Sequence, residues 1–216
     1  MAPTKTVSTR VGGTTPKGLQ RKTELADQAV HSLALQSYAQ TSLRDIAAAA
    51  DINIGRLHYY FDDKTDLIIY AVKHFKQTFV ADLSGGIDKQ RSLEAGVQTL
   101  VQRLTEAPEM HRFWYDLRNQ ALFEPKYRSV VAEIERELKE MTAALLVLID
   151  PERDVGPHLE LAYVVLDGLF FRGLQCLLYG ETNVPERLTA ALLSSAGHFQ
   201  EFGSLSPWSS NPLPLR

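Results

Sequence analysis

The sequence predicts an all-α fold of about nine helices, a small three-helix head followed by a larger helical body. Three observations predict it. Apolar residues recur at three- and four-residue spacing through most of the chain, whereas no run alternates with period two over a useful length. Gly, Pro and Asp-Pro breakers fall between the periodic segments. No internal repeat and no βαβ pattern is present.

Residues 1–16, rich in Thr, Ser, Gly and Pro, read as a flexible basic arm. The first helix is expected from about Gly18 to Tyr38, with Leu25, Ala29, Val30 and Leu33 on one face. Two short helices follow within Ser42–Phe61. The fourth begins near Lys64 and runs through Leu67, Ile68, Ala71, Val72 and Phe75 to about Leu83, where Gly85-Gly86 is expected to break it. A fifth carries Leu93, Val97, Leu100, Val101 and Leu104 as a stripe. Pro108 suits the first position of a sixth, with Phe113, Trp114, Leu117 and Leu122, and Pro125 is expected to start a seventh. Asp150-Pro151 ends it. The eighth (about Gly156–Tyr179) and ninth (about Pro185–Phe202) precede a loose Pro-rich tail. The expected domains are an arm at 1–16, a head at 17–63, a body at 64–203 and a tail at 204–216.

The 216 residues are 44% hydrophobic and 23% charged, ordinary values for a soluble globular chain. One cysteine, Cys176, excludes an internal disulfide and a cysteine-based zinc site, and fits a reducing compartment. The N-terminus lacks the apolar run of a signal peptide. Leu159 to Leu178 is long enough to span a bilayer, but Glu160, Asp167, Arg172 and Gln175 interrupt it, so a buried helix is expected. These readings place the chain in the cytoplasm, with no membrane partner. The net charge of −3 is unevenly spread: residues 1–22 hold Lys5, Arg10, Lys17, Arg21 and Lys22 and no acid. A basic end on a mildly acidic body is the asymmetry expected when one end meets phosphate.

The informative stretch is Thr41–Leu67, TSLRDIAAAADINIGRLHYYFDDKTDL. Ser42 is an N-cap with Asp45 three residues on, an approximate capping box. Leu43, Ile46, Ala47 and Ala50 form one apolar face. At the turn Ala50-Asp51-Ile52, Asp51 can take the left-handed conformation. Asn53 is a second N-cap, opening a helix from Ile54 to about Phe61. Ile52, Leu57, Tyr60 and Phe61 are expected to point inward, leaving Ile54, Gly55, Arg56, His58 and Tyr59 on the outer side. Such a helix suits a DNA major groove. Arg56 can fork onto a guanine edge or bind phosphate, Gly55 admits close backbone approach, and His58 and Tyr59 have polar tips. Thr41, Ser42 and Lys64 stand at helix starts, where hydroxyls, N–H groups or an ammonium can meet phosphate.

The pattern T-S-L-R-D-I-A-x-x-A-x-I-x-x-G-x-L-x-Y-Y-F-x-x-K-x-x-L resembles the DNA-binding domain of the TetR family of repressors, over roughly residues 19–67. Asp51 stands where that family usually has Gly, Ser37 where Gly often ends the first helix, and His58 replaces the usual Tyr. Ile54 leaves one groove contact apolar. The resemblance implies a ligand-responsive repressor that binds a palindromic operator as a homodimer and is released by a small organic molecule. It implies an effector pocket in the body, for which Phe113, Trp114, Leu117, Arg118, Phe123, Tyr163, Asp167, Phe170 and Phe171 are candidate walls. The eighth helix is apolar nearly all round and needs partners on two sides. With the ninth it supplies a candidate dimer face: Leu161, Val165, Leu169, Leu188, Leu192, Ser195 and Phe199.

No cofactor motif, paired catalytic carboxylates, nucleophile elbow or HExxH is found, so neither an enzyme nor a metal site is expected. The alternative is a helical module that docks other proteins. The basic end, Arg56 and Lys64 weigh against it.

Overall fold

The computed structural model describes residues 15–35, 42–49, 51–90, 92–152 and 154–201. Thr41, most of the basic arm and the tail expected at 204–216 lie outside the described residues. Among the described residues there are nine α-helices and no strand. They are α1 (Pro16–Leu35), α2 (Leu43–Ala49), α3 (Ile54–Tyr60), α4 (Lys64–Gln90), α5 (Leu93–Glu106), α6 (Pro108–Phe123), α7 (Arg128–Ile149), α8 (Gly156–Leu178) and α9 (Val184–Glu201). A short 3-10 turn, Pro125–Tyr127, precedes α7.

The chain divides into two compact units, Met1–Phe75 with Phe113–Arg128, and Lys76–Arg112 with Ser129–Arg216. The division differs from the boundary expected after residue 63. The early part of α4 and most of α6 group with the head, and Phe113, Trp114 and Leu117 of α6 are buried.

In the first unit α2 packs on both α1 and α3. Its buried residues include Leu25, Ala26 and Val30 of α1, Ile46 and Ala47 of α2, Leu57 of α3, and Leu67, Ile68 and Ala71 of α4. The small Ala47 lets α2 come close, and each large apolar side chain buried this way contributes about 1.5–3 kcal/mol. Two contacts tie α1 to the segment after α3. The hydroxyls of Thr23 and Tyr70 share a hydrogen bond of 2.8 Å. The Lys22 ammonium lies 4.8 Å from the Phe61 ring centre and 4.7 Å from that of Tyr70. A cation held over two rings adds on the order of 1 kcal/mol, and it commits a lysine that the charge pattern had grouped with the phosphate-facing end.

The second unit is built on α5, α8 and α9, which pack together. Gly173 allows their close approach: a Cβ there would stand 2.7 Å from Leu188 Cδ2 and 3.3 Å from Leu104 Cδ2. Cys176 is buried in the same unit. The end of α8 is closed by Gly180 at φ 75°, with Gly180 N–H donating to Leu177 O (3.1 Å) and Glu181 N–H to Cys176 O (2.9 Å). This is the Schellman arrangement that a left-handed glycine makes.

Three sequence expectations change. α4 does not break at Gly85-Gly86 but continues to Gln90. Glycine in a helix interior costs only about 1 kcal/mol each relative to alanine, which a 27-residue helix tolerates. The seventh helix starts at Arg128 rather than Pro125, because Tyr127 N–H reaches Glu124 O (3.1 Å) in a tight i→i+3 turn and Tyr127 is buried. α8 is long and apolar enough to cross a membrane, yet only a third of its most apolar stretch is buried within the chain. It is therefore not a fully buried helix. Ala162, Tyr163, Phe170, Gly173, Leu174 and Cys176 face inward, while Leu161, Val164, Phe171 and Leu178 form an exposed stripe at helical spacing.

Candidate nucleic-acid interface

The site begins at the Ser42 cap. Asp45 N–H donates to Ser42 Oγ (3.2 Å), and Ser42 N–H donates back to Asp45 Oδ2 (2.7 Å). This is a reciprocal capping box made with aspartate. The Ser42 hydroxyl also donates to Asp45 Oδ2 at 2.6 Å. These bonds hold the Asp45 carboxyl below the usual carboxylate range.

The turn after α2 is set by Asp51, at φ 50°. Ile52 N–H donates to Ala47 O (2.9 Å) and Asp51 N–H to Ala48 O (3.2 Å), a Schellman closure with aspartate in the left-handed place. Asn53, in extended conformation, then caps α3 by accepting from Gly55 N–H at 2.7 Å. Gly55 has a local role beside any close approach to DNA. A Cβ there would lie 3.1 Å from Asn53 Oδ1, so the cap and the glycine fit each other.

Leu57 is fully buried and anchors α3, and Phe61, also buried, closes it by donating its N–H to Leu57 O (2.9 Å). With those two inward, Gly55, Arg56, His58 and Tyr59 are exposed and Ile54 is half-buried. Tyr59 is 56% exposed and meets Tyr60 edge-to-face, centroids 5.0 Å apart. The outer side of α3 thus presents one guanidinium, one imidazole, one phenol and a bare backbone position, the inventory that reads base edges and phosphates.

Lys64 opens α4 on a cap from Asp63, whose Oδ1 accepts from Asp66 N–H at 2.9 Å. Its ammonium is half-buried, and burial pushes its pKa down, with Lys126 adding to that and Asp116 and Asp45 opposing it. Lys126 was not singled out by sequence. It belongs to the Pro125–Tyr127 turn, about sixty residues away, and no local signal links the two.

The candidate effector residues fall into both units. Phe113, Trp114, Leu117, Arg118 and Phe123 belong to the first, and Tyr163, Asp167, Phe170 and Phe171 to the second. Phe113, Trp114, Leu117, Tyr163 and Phe170 are buried, and Arg118 and Asp167 are half-buried. Phe123 is 76% exposed at the end of α6, and Phe171 lies on the outer stripe of α8, so neither is enclosed within its own unit. Sequence reading missed a buried polar pair in the second unit, Lys76 and His111. The His111 ring stands edge-on to Phe79 (5.1 Å) and Phe170 (4.9 Å), with Nε2 3.3 Å from Arg103 O. Burial, with Lys76 nearby, holds the imidazole well below its ordinary value, against the pull of the Arg103 carbonyl.

The candidate dimer face also shifts. Leu188 and Leu192 are buried within the chain, and Val165, Leu192 and Ser195 line a small apolar cleft of about 40 Å³ together with residues of α5 and α7. Leu188 and Leu192 thus face their own unit, where Gly173 lets α9 come close to α8, while Val165 and Ser195 are half-buried. Leu161 is exposed as expected, Leu169 is half-buried, and the side chain of Phe199 lies outside the described residues. The exposed positions include Val164, Phe171 and Leu178 of α8 and Ala190, Ser194 and Gly197 of α9.

Residues 25–71 match the bacterial regulatory proteins of the tetR family. The chain is 25% identical over 130 residues to the HTH-type transcriptional repressor KstR2 of Rhodococcus jostii, a match covering 58% of this chain and 63% of that protein. A transcriptional regulator from Pseudomonas aeruginosa superposes with TM-score 0.71 at 18% identity, over 90% of this chain and 97% of that one. FadR from Bacillus subtilis, solved with stearoyl-CoA, superposes with TM-score 0.65 at 18% identity, over 80% and 96%.

Proposed function

We propose that the chain is a TetR-family transcriptional regulator, a ligand-responsive repressor that binds a palindromic operator as a homodimer; its residues 25–71 match that family. One observation carries the DNA side of this reading. Two local caps and one buried leucine hold α3 so that Gly55, Arg56, His58 and Tyr59 all face outward. A helix fixed this way enters a major groove with its bonding groups already placed.

The homodimer is supported by the exposed stripe Leu161, Val164, Phe171 and Leu178 on α8, next in sequence to an α9 whose exposed positions include the small Ala190, Ser194 and Gly197 as well as Glu186, Arg187 and His198. Large apolar residues beside small ones suit close packing of helices, and a second copy related by a two-fold axis would cover both. A cytoplasmic location goes with this role. The effector is an organic molecule with one polar handle, supported by the aromatic residues around His111 and Lys76. FadR binding stearoyl-CoA supports a body of this shape holding a ligand. The effector must bind the DNA-incompetent form more tightly, since equal affinity for both forms would shift nothing.

The test is titration of a palindromic duplex, taken from the DNA beside the regulator's own gene, with the full chain. Specific binding is expected, with two chains per palindrome. Arg56→Ala should lose discrimination between operator and scrambled DNA, by about 1–3 kcal/mol for one guanine. A monomer without sequence preference would overturn the reading.

A further inference from the structure

We propose that the groove between the start of α1 and α3 seats a backbone phosphate of the same duplex, with Lys17 as the residue that neutralises it. The proposal rests on α3 being the reading helix and adds a second contact surface beside it.

The groove, about 580 Å³ and open to solvent, is lined by Lys17, Arg21 and Glu24 of α1 and by Arg56, Tyr59 and Tyr60 of α3, among others. Three cations stand against one carboxylate. That carboxylate is met within α1: Glu24 takes a 2.6 Å ion pair from Arg21 and a 3.3 Å bond from Gln20. Lys22, the remaining cation of this helix turn, is drawn over the Phe61 and Tyr70 rings. The exposed positive charge of the groove therefore rests on Lys17 and Arg56. Arg56 and Tyr59 belong both to the groove and to the outer side of α3, so the two surfaces are continuous.

A duplex carries one charge per roughly 1.7 Å of its axis. When α3 occupies the major groove, the sugar-phosphate strand bordering it must cross whatever surface adjoins α3. Here that surface is open and positive, and a hydrated phosphodiester fits it. Lysine acts there as a compact point charge without base preference.

The experiment measures affinity for operator and for scrambled duplex at several salt concentrations, with wild type, Lys17→Ala, Lys17→Arg and Lys22→Ala. Lys17→Ala should weaken both duplexes by the same factor and lower the slope of log affinity against log salt by about 0.9. Lys17→Arg should restore the slope, and Lys22→Ala should leave it unchanged while lowering thermal stability. An unchanged slope in Lys17→Ala, no recovery in Lys17→Arg, or an altered operator-to-scrambled ratio would overturn the proposal. If wild type itself shows no operator preference, the reading of α3 fails instead. Lys17 is exposed, so its variants are expected to fold.

Discussion

At the residue scale, acid acts first on His111. It is fully buried, and its folded-state pKa lies well below the 6.5 of an exposed histidine. Below pH 6.5 the unfolded chain takes up a proton that the folded chain refuses, so this histidine's share of stability is complete above that pH and lost as pH falls. The slope can approach about 1.4 kcal/mol per pH unit. Denaturant unfolding at pH 7.5 and 5.5 should therefore show wild type losing on the order of 1 kcal/mol more than His111→Gln; equal losses would assign the acid sensitivity elsewhere. Local caps at this scale were legible in the sequence, because Ser42 with Asp45 and Asn53 with Gly55 bond within three residues. Lys22, Lys76 and His111 were not legible. Their surroundings come from distant segments, and one lysine reads like another until the rings beneath it are placed.

At the element scale, the turn between α2 and α3 keeps an aspartate where glycine would be easier. At φ 50° Asp51 bears part of the left-handed cost that an L-residue meets there. Asp51→Gly should raise stability by about 0.5–1 kcal/mol without changing the turn, as thermal unfolding would show. A destabilised variant would mean that the Asp51 side chain contributes more than its backbone costs. Helix existence and order were legible from periodicity, and the ends were less so. Gly85-Gly86 looked like a stop because glycine is a weak helix former, but a long helix absorbs two. Periodicity also made α8 uniformly apolar. It could not say which side its own chain would cover, since that depends on where Gly173 admits α9.

At the scale of the whole molecule, the two apolar sides of α8 have opposite fates. Val164, 60% exposed, is on the side that the proposed second copy would cover, whereas the inner side packs on α9, whose Leu192 is 4% exposed in the chain's own interior. Val164→Arg should leave the fold intact, shift sedimentation toward monomer and abolish tight operator binding. Leu192→Ala should instead cost about 2–5 kcal/mol of stability through the cavity it leaves. A Val164→Arg chain that remains dimeric would move the interface off this stripe. The fold class and the bounds and outward residues of α3 were legible in the residues alone, since both follow from spacing and local caps. Of the residues expected at a dimer face, Leu161 is exposed and Leu188 and Leu192 are buried in the chain, a division set by helix packing that spacing alone does not give.

The buried Cys176 gives the molecule a built-in clock. It is the only cysteine in the sequence and is 4% exposed, within the unit formed by α5, α8 and α9. A thiol reagent reaches so buried a sulfur faster when that unit opens, so the labelling rate rises with opening. A compound that binds the closed form slows the clock by the factor 1 + [L]/Kd. Candidate effectors can then be ranked on the protein alone, with no operator sequence in hand.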